Sequence, residues 1–106
     1  MFYIRQNDTS PTITATLTDY SGTPINLNAA DVKMFMEDLS GVLKLDNAVC
    51  AIDDVEEGII SYSWQSGDTD TVGTYRVLFE VTYTDGGIET FPNKGYESVI
   101  VTRELV

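Results

Sequence analysis

The chain has 106 residues, a length that fits one domain with a single two-layer core. Six Lys and Arg residues stand against 17 Asp and Glu residues, which gives a formal charge of −11. Because phosphate backbones and anionic membranes are held by clustered Lys and Arg, this charge argues against nucleic-acid and membrane partners. An apolar fraction of 42% excludes a disordered tail and predicts a folded protein.

The N-terminal segment shows no targeting signal. No apolar run approaches the roughly 20 residues that span a bilayer, and Met1–Arg5 lacks the basic region and apolar stretch of a signal peptide. Cys50 is the only cysteine, so the chain forms no intramolecular disulfide, in agreement with a reducing compartment. These features predict synthesis and retention in a cytosol, with secretion by another route as the alternative.

Apolar and polar residues alternate between clusters of turn residues, which predicts an all-β fold. The pattern begins in Thr12–Thr18, where Ile13, Ala15 and Leu17 share one face and threonines occupy the other. Val32–Asp38 alternates in the same way, with Phe35 pointing away from the inward set. Shorter extended runs are predicted at Ile25–Leu27, at Val42–Leu45 and, after a turn at Asp46-Asn47, at Ala48–Ile52.

The longest alternating run is Thr74–Thr84, which has a large apolar side chain at every second position from Tyr75 to Tyr83. Each such side chain stabilises the fold by roughly 1.5–3 kcal/mol when buried, so we expect this strand at the centre of the domain. Trp64, the only tryptophan, ends the run Ile59–Trp64 and is predicted to anchor the core. The remaining predicted strands are Ile88–Phe91, which follows a hairpin at Asp85-Gly86-Gly87, and Tyr96–Thr102.

About seven to nine short strands in one chain predict an immunoglobulin-like antiparallel β-sandwich that fills residues 1–106 as a single domain. The segment around Asp70 and Gly73 has the form of a tyrosine corner, because an acidic turn and a glycine precede Tyr75 at the start of the long strand. In such sandwiches the tyrosine hydroxyl bonds to upstream backbone and stabilises the crossover between the sheets. The simpler alternative is that Tyr75 is one more core aromatic.

The residue inventory argues against catalysis. The chain has no histidine, so it has no imidazole base and no zinc ligand of that type. Cys50 lies in an apolar run and is predicted to be a small buried hydrophobe rather than a nucleophile. We find no glycine-rich phosphate loop and expect no cofactor. The chain is therefore predicted to be non-enzymatic.

Two acidic clusters invite comparison with a calcium site. They lie at Asp53–Glu57 and at Asp68–Asp70, and calcium is held by several oxygen ligands from neighbouring loops. Their spacing fits no EF-hand loop. Solvated acidic turns are therefore the favoured interpretation, and a metal site is the alternative.

Short motifs follow one another in a definite order along nearly the whole chain. They are Ile4–Pro11, Ile13–Leu17, Gly22–Leu27, Tyr62–Asp70, Gly73–Tyr75, Phe79–Gly86 and Glu89–Pro92. In this order they resemble the N-terminal domain family of phage baseplate upper proteins, an immunoglobulin-like module of tailed-phage virions. The resemblance implies a structural protein of the baseplate, tail or head, made in the host cytoplasm and located in the virion. It also implies docking onto other virion proteins in a homo-oligomeric or multi-copy arrangement.

The chain termini are the candidate interface for such docking, because an extended segment can add a strand to another chain's sheet. An ordinary first strand is an equally good interpretation of the N-terminal part. The candidate interface residues are Phe2, Tyr3, Ile4, Leu105 and Val106.

A carbohydrate- or receptor-binding module in host adhesion is the alternative function. It would use exposed aromatic side chains as platforms for a sugar. Tyr20, Phe35 and Tyr96 are the candidates.

Overall fold

The structure is a computed structural model, and it describes residues 1–93 and 95–104. Within these ranges the chain forms nine β-strands and no helix. The strands are β1 (Phe2–Arg5), β2 (Ile13–Thr16), β3 (Asp31–Asp38), β4 (Leu43–Val49), β5 (Ala51–Asp54), β6 (Ile59–Tyr62), β7 (Gly73–Thr82), β8 (Ile88–Phe91) and β9 (Glu97–Thr102). The described residues contain no helix with the length and apolar character needed to cross a bilayer.

The strands form two sheets that share one hydrophobic core. The larger sheet has the order β1-β9-β7-β3-β4, with β8 also paired to β7, and the smaller sheet has the order β2-β6-β5. All pairs are antiparallel except β1 with β9, so the larger sheet is mixed. This arrangement confirms the predicted immunoglobulin-like β-sandwich.

Strand β7 lies at the centre of the larger sheet, as its alternating pattern predicts. Its inward residues are buried against both the neighbouring strands and the smaller sheet. Val77 lies opposite Met36 of β3, and Phe79 lies opposite Met34. Because these four side chains are 0–2% exposed, they form the middle of the core.

Strand β4 departs from the sequence prediction. The residues Asp46-Asn47 were expected to form a turn, yet β4 continues through them to Val49. The register against β3 shifts there, and Asn47 adopts a φ of 58°. Asparagine tolerates this left-handed conformation, so the strand accommodates a bulge in place of a turn. The chain instead changes sheets at Cys50, whose N–H donates to the carbonyl of Val32 at 3.0 Å.

The predicted extended run at Ile25–Leu27 forms no strand of its own. It follows Pro24, which makes only an isolated bridge with Thr18. Proline has no N–H to donate, so a continuous ladder cannot start there. The N–H of Ile25 nevertheless donates to the carbonyl of Leu17 at 2.9 Å, so this run is hydrogen-bonded to the residue that follows β2.

Candidate functional site

The predicted corner residues lie where the chain passes from the smaller sheet into β7. The Tyr75 hydroxyl donates to the backbone carbonyl of Thr71 at 2.6 Å, four residues upstream. Gly73 begins β7, and Asp70 forms an ion pair with Lys44. The Tyr75 ring is buried in the core. The hydrogen bond joins the start of β7 to the turn that precedes it.

Trp64 is buried beside two other aromatic side chains. Its ring lies edge-on to Tyr62 at 5.5 Å between centroids, and it is tilted against Phe2 at 5.9 Å. The Tyr62 hydroxyl in turn donates to the carboxylate of Asp68. Burial and this hydrogen bond raise the pKa of Tyr62 well above its usual value. These aromatics close one end of the core.

The predicted interface at the N-terminus is strand β1, which pairs in parallel with β9. Ile4 is buried in the core, and Phe2 is half-buried against Trp64. Tyr3 points outward and is 61% exposed. The other two predicted interface residues, Leu105 and Val106, lie outside the described residues.

The structure instead places an open strand edge at β2. Among residues 1–93 and 95–104 this strand pairs only with β6, so it is an edge of the smaller sheet. The N–H of Leu17 donates to the carbonyl of Gly58 at 2.8 Å, which directs that residue's backbone towards β6. Backbone groups alternate in direction along an antiparallel strand. The N–H and carbonyl groups of Thr14 and Thr16 therefore face the open side.

A groove of about 380 Å³ runs along this open edge, and we call it the edge groove. One wall is the backbone of residues 13–18, and the opposite wall includes Phe91 and Pro92 of the larger sheet. The ring of Phe79 also lines it, so the groove reaches the core between the sheets. It exists because a three-stranded sheet lies over a six-stranded one.

The aromatic side chains proposed for sugar binding are not gathered at one place. Tyr20 is 99% exposed on the turn after β2. Phe35 and Tyr96 line a different groove, on the outer face of the larger sheet. Sequence alternation predicts that Phe35 points outward but does not identify its neighbours, because these come from distant strands.

The acidic clusters are turn structures. Among the described residues, no group of three or more His, Cys, Asp or Glu side chains is arranged to hold a metal. The Asp54 carboxylate accepts the N–H of Glu57 at 3.0 Å, and the Asp68 carboxylate accepts the N–H of Gln65 at 2.7 Å. Both carboxylates thus satisfy backbone donors of their own turns.

The fold and the edge groove define a class of protein, an immunoglobulin-like sandwich with a mixed larger sheet and a smaller sheet with a free edge. The sequence matches no protein-family model and no curated protein. Among solved structures, the chain is similar to CopC from Methylosinus trichosporium OB3b, with a TM-score of 0.55 and 14% identity. The match covers 99% of this chain and 86% of that chain. At this identity the likeness shows the fold.

This comparison corrects the function predicted from the sequence. The solved structure that this chain resembles is CopC from Methylosinus trichosporium OB3b, and it is not a phage virion protein. The predicted function, a structural protein of a tailed-phage virion with host adhesion as its alternative, is therefore wrong, and so is the predicted location in the virion. The motifs behind it are turn and strand signals, which specify a sandwich but not what its surface contacts. The family resemblance itself has no matching model and stays a prediction.

Proposed function

We propose that this protein is a non-enzymatic binding domain that receives an extended segment of a partner protein at the free edge of β2. The segment would add a fourth strand to the smaller sheet and fill the edge groove. The observation that carries the proposal is the coincidence of unpaired backbone groups at Thr14 and Thr16 with a groove that reaches core aromatics. Strand addition is a common way in which sheet edges bind peptides.

The side chains of the described residues support binding rather than catalysis. Burial raises the pKa of the Cys50 thiol to about 12, and the charge of Lys33 opposes this rise. A thiol with this pKa is protonated at neutral pH and is a poor nucleophile. The chain also has no histidine to serve as a base.

Copper does not suit the residues of this chain. Copper sites use Cys, Met and His side chains. Met34 and Met36 are 0% exposed and Cys50 is 7% exposed, and all three belong to the core. A metal could reach them only by opening the sandwich. Met1, the third methionine, is 73% exposed, but one thioether does not make a copper site, so we propose no copper chemistry for this chain.

The binding free energy of strand addition can be estimated from the free backbone groups of β2. Thr14 and Thr16 present two donors and two acceptors, and each hydrogen bond contributes about 0.5–1.5 kcal/mol net. Association costs at least about 4 kcal/mol in lost freedom. The hydrogen bonds alone therefore give little or no affinity, and apolar side chains of the segment must also pack on the partly exposed groove residues Phe2, Ala15 and Pro92. A partner segment with apolar residues at alternate positions and basic ends suits the charge of −11.

A proline substitution in the edge strand tests the proposal. The probe is a fluorescein-labelled peptide, Lys-Thr-Val-Thr-Val-Thr-Lys with blocked ends, and its binding is followed by fluorescence anisotropy. Thr16→Pro removes a donor that faces the open side, which edge strands tolerate. Thr16→Val is the matched control, because it keeps the backbone donor and the β-branched shape.

We expect the wild type and Thr16→Val to bind the peptide alike, and Thr16→Pro to bind about two- to tenfold more weakly, since one backbone hydrogen bond is lost. Thermal unfolding of each variant shows that it remains folded. If folded Thr16→Pro binds the peptide as tightly as the wild type, or if the wild type does not bind it even at millimolar concentration, the proposal is wrong.

A further inference from the structure

The outer face of the larger sheet carries a second groove, of about 340 Å³, which we call the outer groove. Its floor is apolar, because Phe35 of β3 lies directly opposite Leu78 of β7. Leu43 and Tyr96 flank this pair and are 49% and 52% exposed. The outer face of an antiparallel sandwich normally carries polar side chains. A continuous apolar floor at this position therefore indicates a surface that another molecule covers.

The positively charged side chain of Arg76 in the outer groove is already paired within the protein. A guanidinium nitrogen of Arg76 lies 3.3 Å from the Glu37 carboxylate. The centre of the same guanidinium lies 5.4 Å from the centre of the Tyr96 ring, in cation–π contact. Arg76 and Glu37 thus neutralise each other and fix one wall of the groove.

The opposite wall carries a carboxylate that no described cation neutralises. Glu80 lines the outer groove and makes no ion pair with the described residues. Lys33 lies opposite Glu80 in the β3–β7 register, but its ammonium nitrogen lies more than 4 Å from the Glu80 carboxylate oxygens and forms no ion pair with them. An unneutralised carboxylate beside an apolar floor favours a ligand with both an apolar part and a positive charge.

We propose that the outer groove binds a lysine or arginine side chain of a partner protein. The aliphatic stem of that side chain would lie on Phe35 and Leu78, and its charge would lie at Glu80. The volume of about 340 Å³ is at the small end of ligand pockets, so the groove suits one long side chain with its neighbours rather than a helix. The formal charge of −11 favours the approach of a basic partner. This site is separate from the edge groove.

Paired charge variants test the proposal. The probe is a fluorescein-labelled Leu-Arg-Leu-Arg peptide with blocked ends, and Leu-Glu-Leu-Glu is its acidic counterpart. Glu80→Gln removes the groove carboxylate. Glu56→Gln is the matched control, because it makes the same change in net charge on an exposed turn outside the groove. Phe35→Thr removes the apolar floor and keeps a residue that strands favour.

We expect Glu80→Gln to weaken binding of the basic peptide about two- to fivefold at low salt, which is the range of a partly exposed ion pair. Phe35→Thr should weaken it at least about tenfold, because apolar contact area is lost. Glu56→Gln should bind as the wild type does, and the acidic peptide should bind more weakly to every variant. The same Glu80 and Phe35 substitutions are also compared in the Thr16→Pro background, where strand addition at the edge groove is weakened, so that their effects on the basic peptide there report on the outer groove.

Two results would overturn the proposal. Equal weakening by Glu80→Gln and Glu56→Gln would show that net charge alone attracts the peptide. Unchanged binding by a folded Phe35→Thr variant would show that the peptide does not lie on the groove floor. Thermal unfolding confirms that each variant is folded before its binding is compared.

Discussion

Gly58 supports the end of β2, and its replacement by alanine should destabilise the fold strongly. The residue has a φ of 64°, and its carbonyl accepts the N–H of Leu17 at 2.8 Å. A Cβ atom at this position would lie 2.7 Å from the carbonyl oxygen of Leu17 and 2.9 Å from that of Ile25. Both atoms belong to backbone, so neither can move aside without disturbing the hydrogen bond between Leu17 and Ile25.

Two costs set the expected magnitude. An L-residue in the left-handed region costs about 1–2 kcal/mol. Relief of the close contact disrupts at least one backbone hydrogen bond, at about 0.5–1.5 kcal/mol. We therefore expect Gly58→Ala to lower the free energy of unfolding by about 1.5–3.5 kcal/mol and the Tm by roughly 6 °C or more.

Urea unfolding of Gly58→Ala and Gly41→Ala separates the two costs. Gly41 has a φ of 90°, and a Cβ there would meet nothing within 4 Å. Placing alanine in the left-handed conformation costs at least as much at Gly41 as at Gly58, because the φ of Gly41 lies farther from the left-handed minimum. If Gly58→Ala is no less stable than Gly41→Ala, the close approach of Gly58 to the Leu17 and Ile25 carbonyls is not a constraint and the reasoning fails.

Three further predictions concern hydrogen bonds and burial. Tyr75→Phe should lower the free energy of unfolding by about 0.5–1.5 kcal/mol, since the Thr71 carbonyl loses its donor; an unchanged urea midpoint would count against the corner. Burial raises the pKa of Cys50 to about 12, so iodoacetamide at pH 8 should label the thiol only in urea, and fast labelling of the folded protein would contradict this. Hydrogen bonds from Ser21 and Thr23 to Asp19, and from Ser40 and Val42 to Asp38, lower the pKa of each carboxyl. The resulting stability is present above the ordinary pKa and is lost as pH falls through the lowered one. The Tm should therefore fall on acidification below about pH 4, and an Asp19→Asn/Asp38→Asn variant with the same pH dependence as the wild type would refute the assignment.

The local sequence pattern was sufficient to predict a strand where apolar and polar residues alternate strictly. Residues 74–84 alternate without interruption, and the strand they predict lies at the centre of the larger sheet. The turn expected at Asp46-Asn47 is a bulge within β4, because the same residue types serve both structures. Only pairing with β3 decides between them. Long-range pairing of this kind is not visible in a local window of sequence.

The candidate site could be predicted only in part. The alternation of Thr12–Thr18 predicts a strand with one buried face, but it does not indicate that β2 lies at an edge. That depends on how many strands each sheet contains. Likewise, alternation directs Phe35 outward, whereas its position beside Tyr96 depends on the joint packing of several strands. Edges and outer grooves are properties of the assembled sheets.

The short motifs of the chain are informative about fold and uninformative about partners. Turn residues such as those around Gly73 report on backbone conformation and not on what the surface contacts. The likeness to CopC, at 14% identity, likewise concerns the fold alone. Function has to be inferred from the exposed surfaces that remain unpartnered.

Amide hydrogen exchange of β2, measured by NMR with and without the Lys-Thr-Val-Thr-Val-Thr-Lys peptide, tests the proposed function most directly. In the free protein, the amide of Leu17 should exchange slowly, because it is bonded to Gly58. The amides of Thr14 and Thr16 should exchange quickly, because they face the open side. Saturating peptide should slow Thr14 and Thr16 selectively. Protection of these two amides in the free protein, or no change when the peptide is added, would contradict a strand-accepting edge.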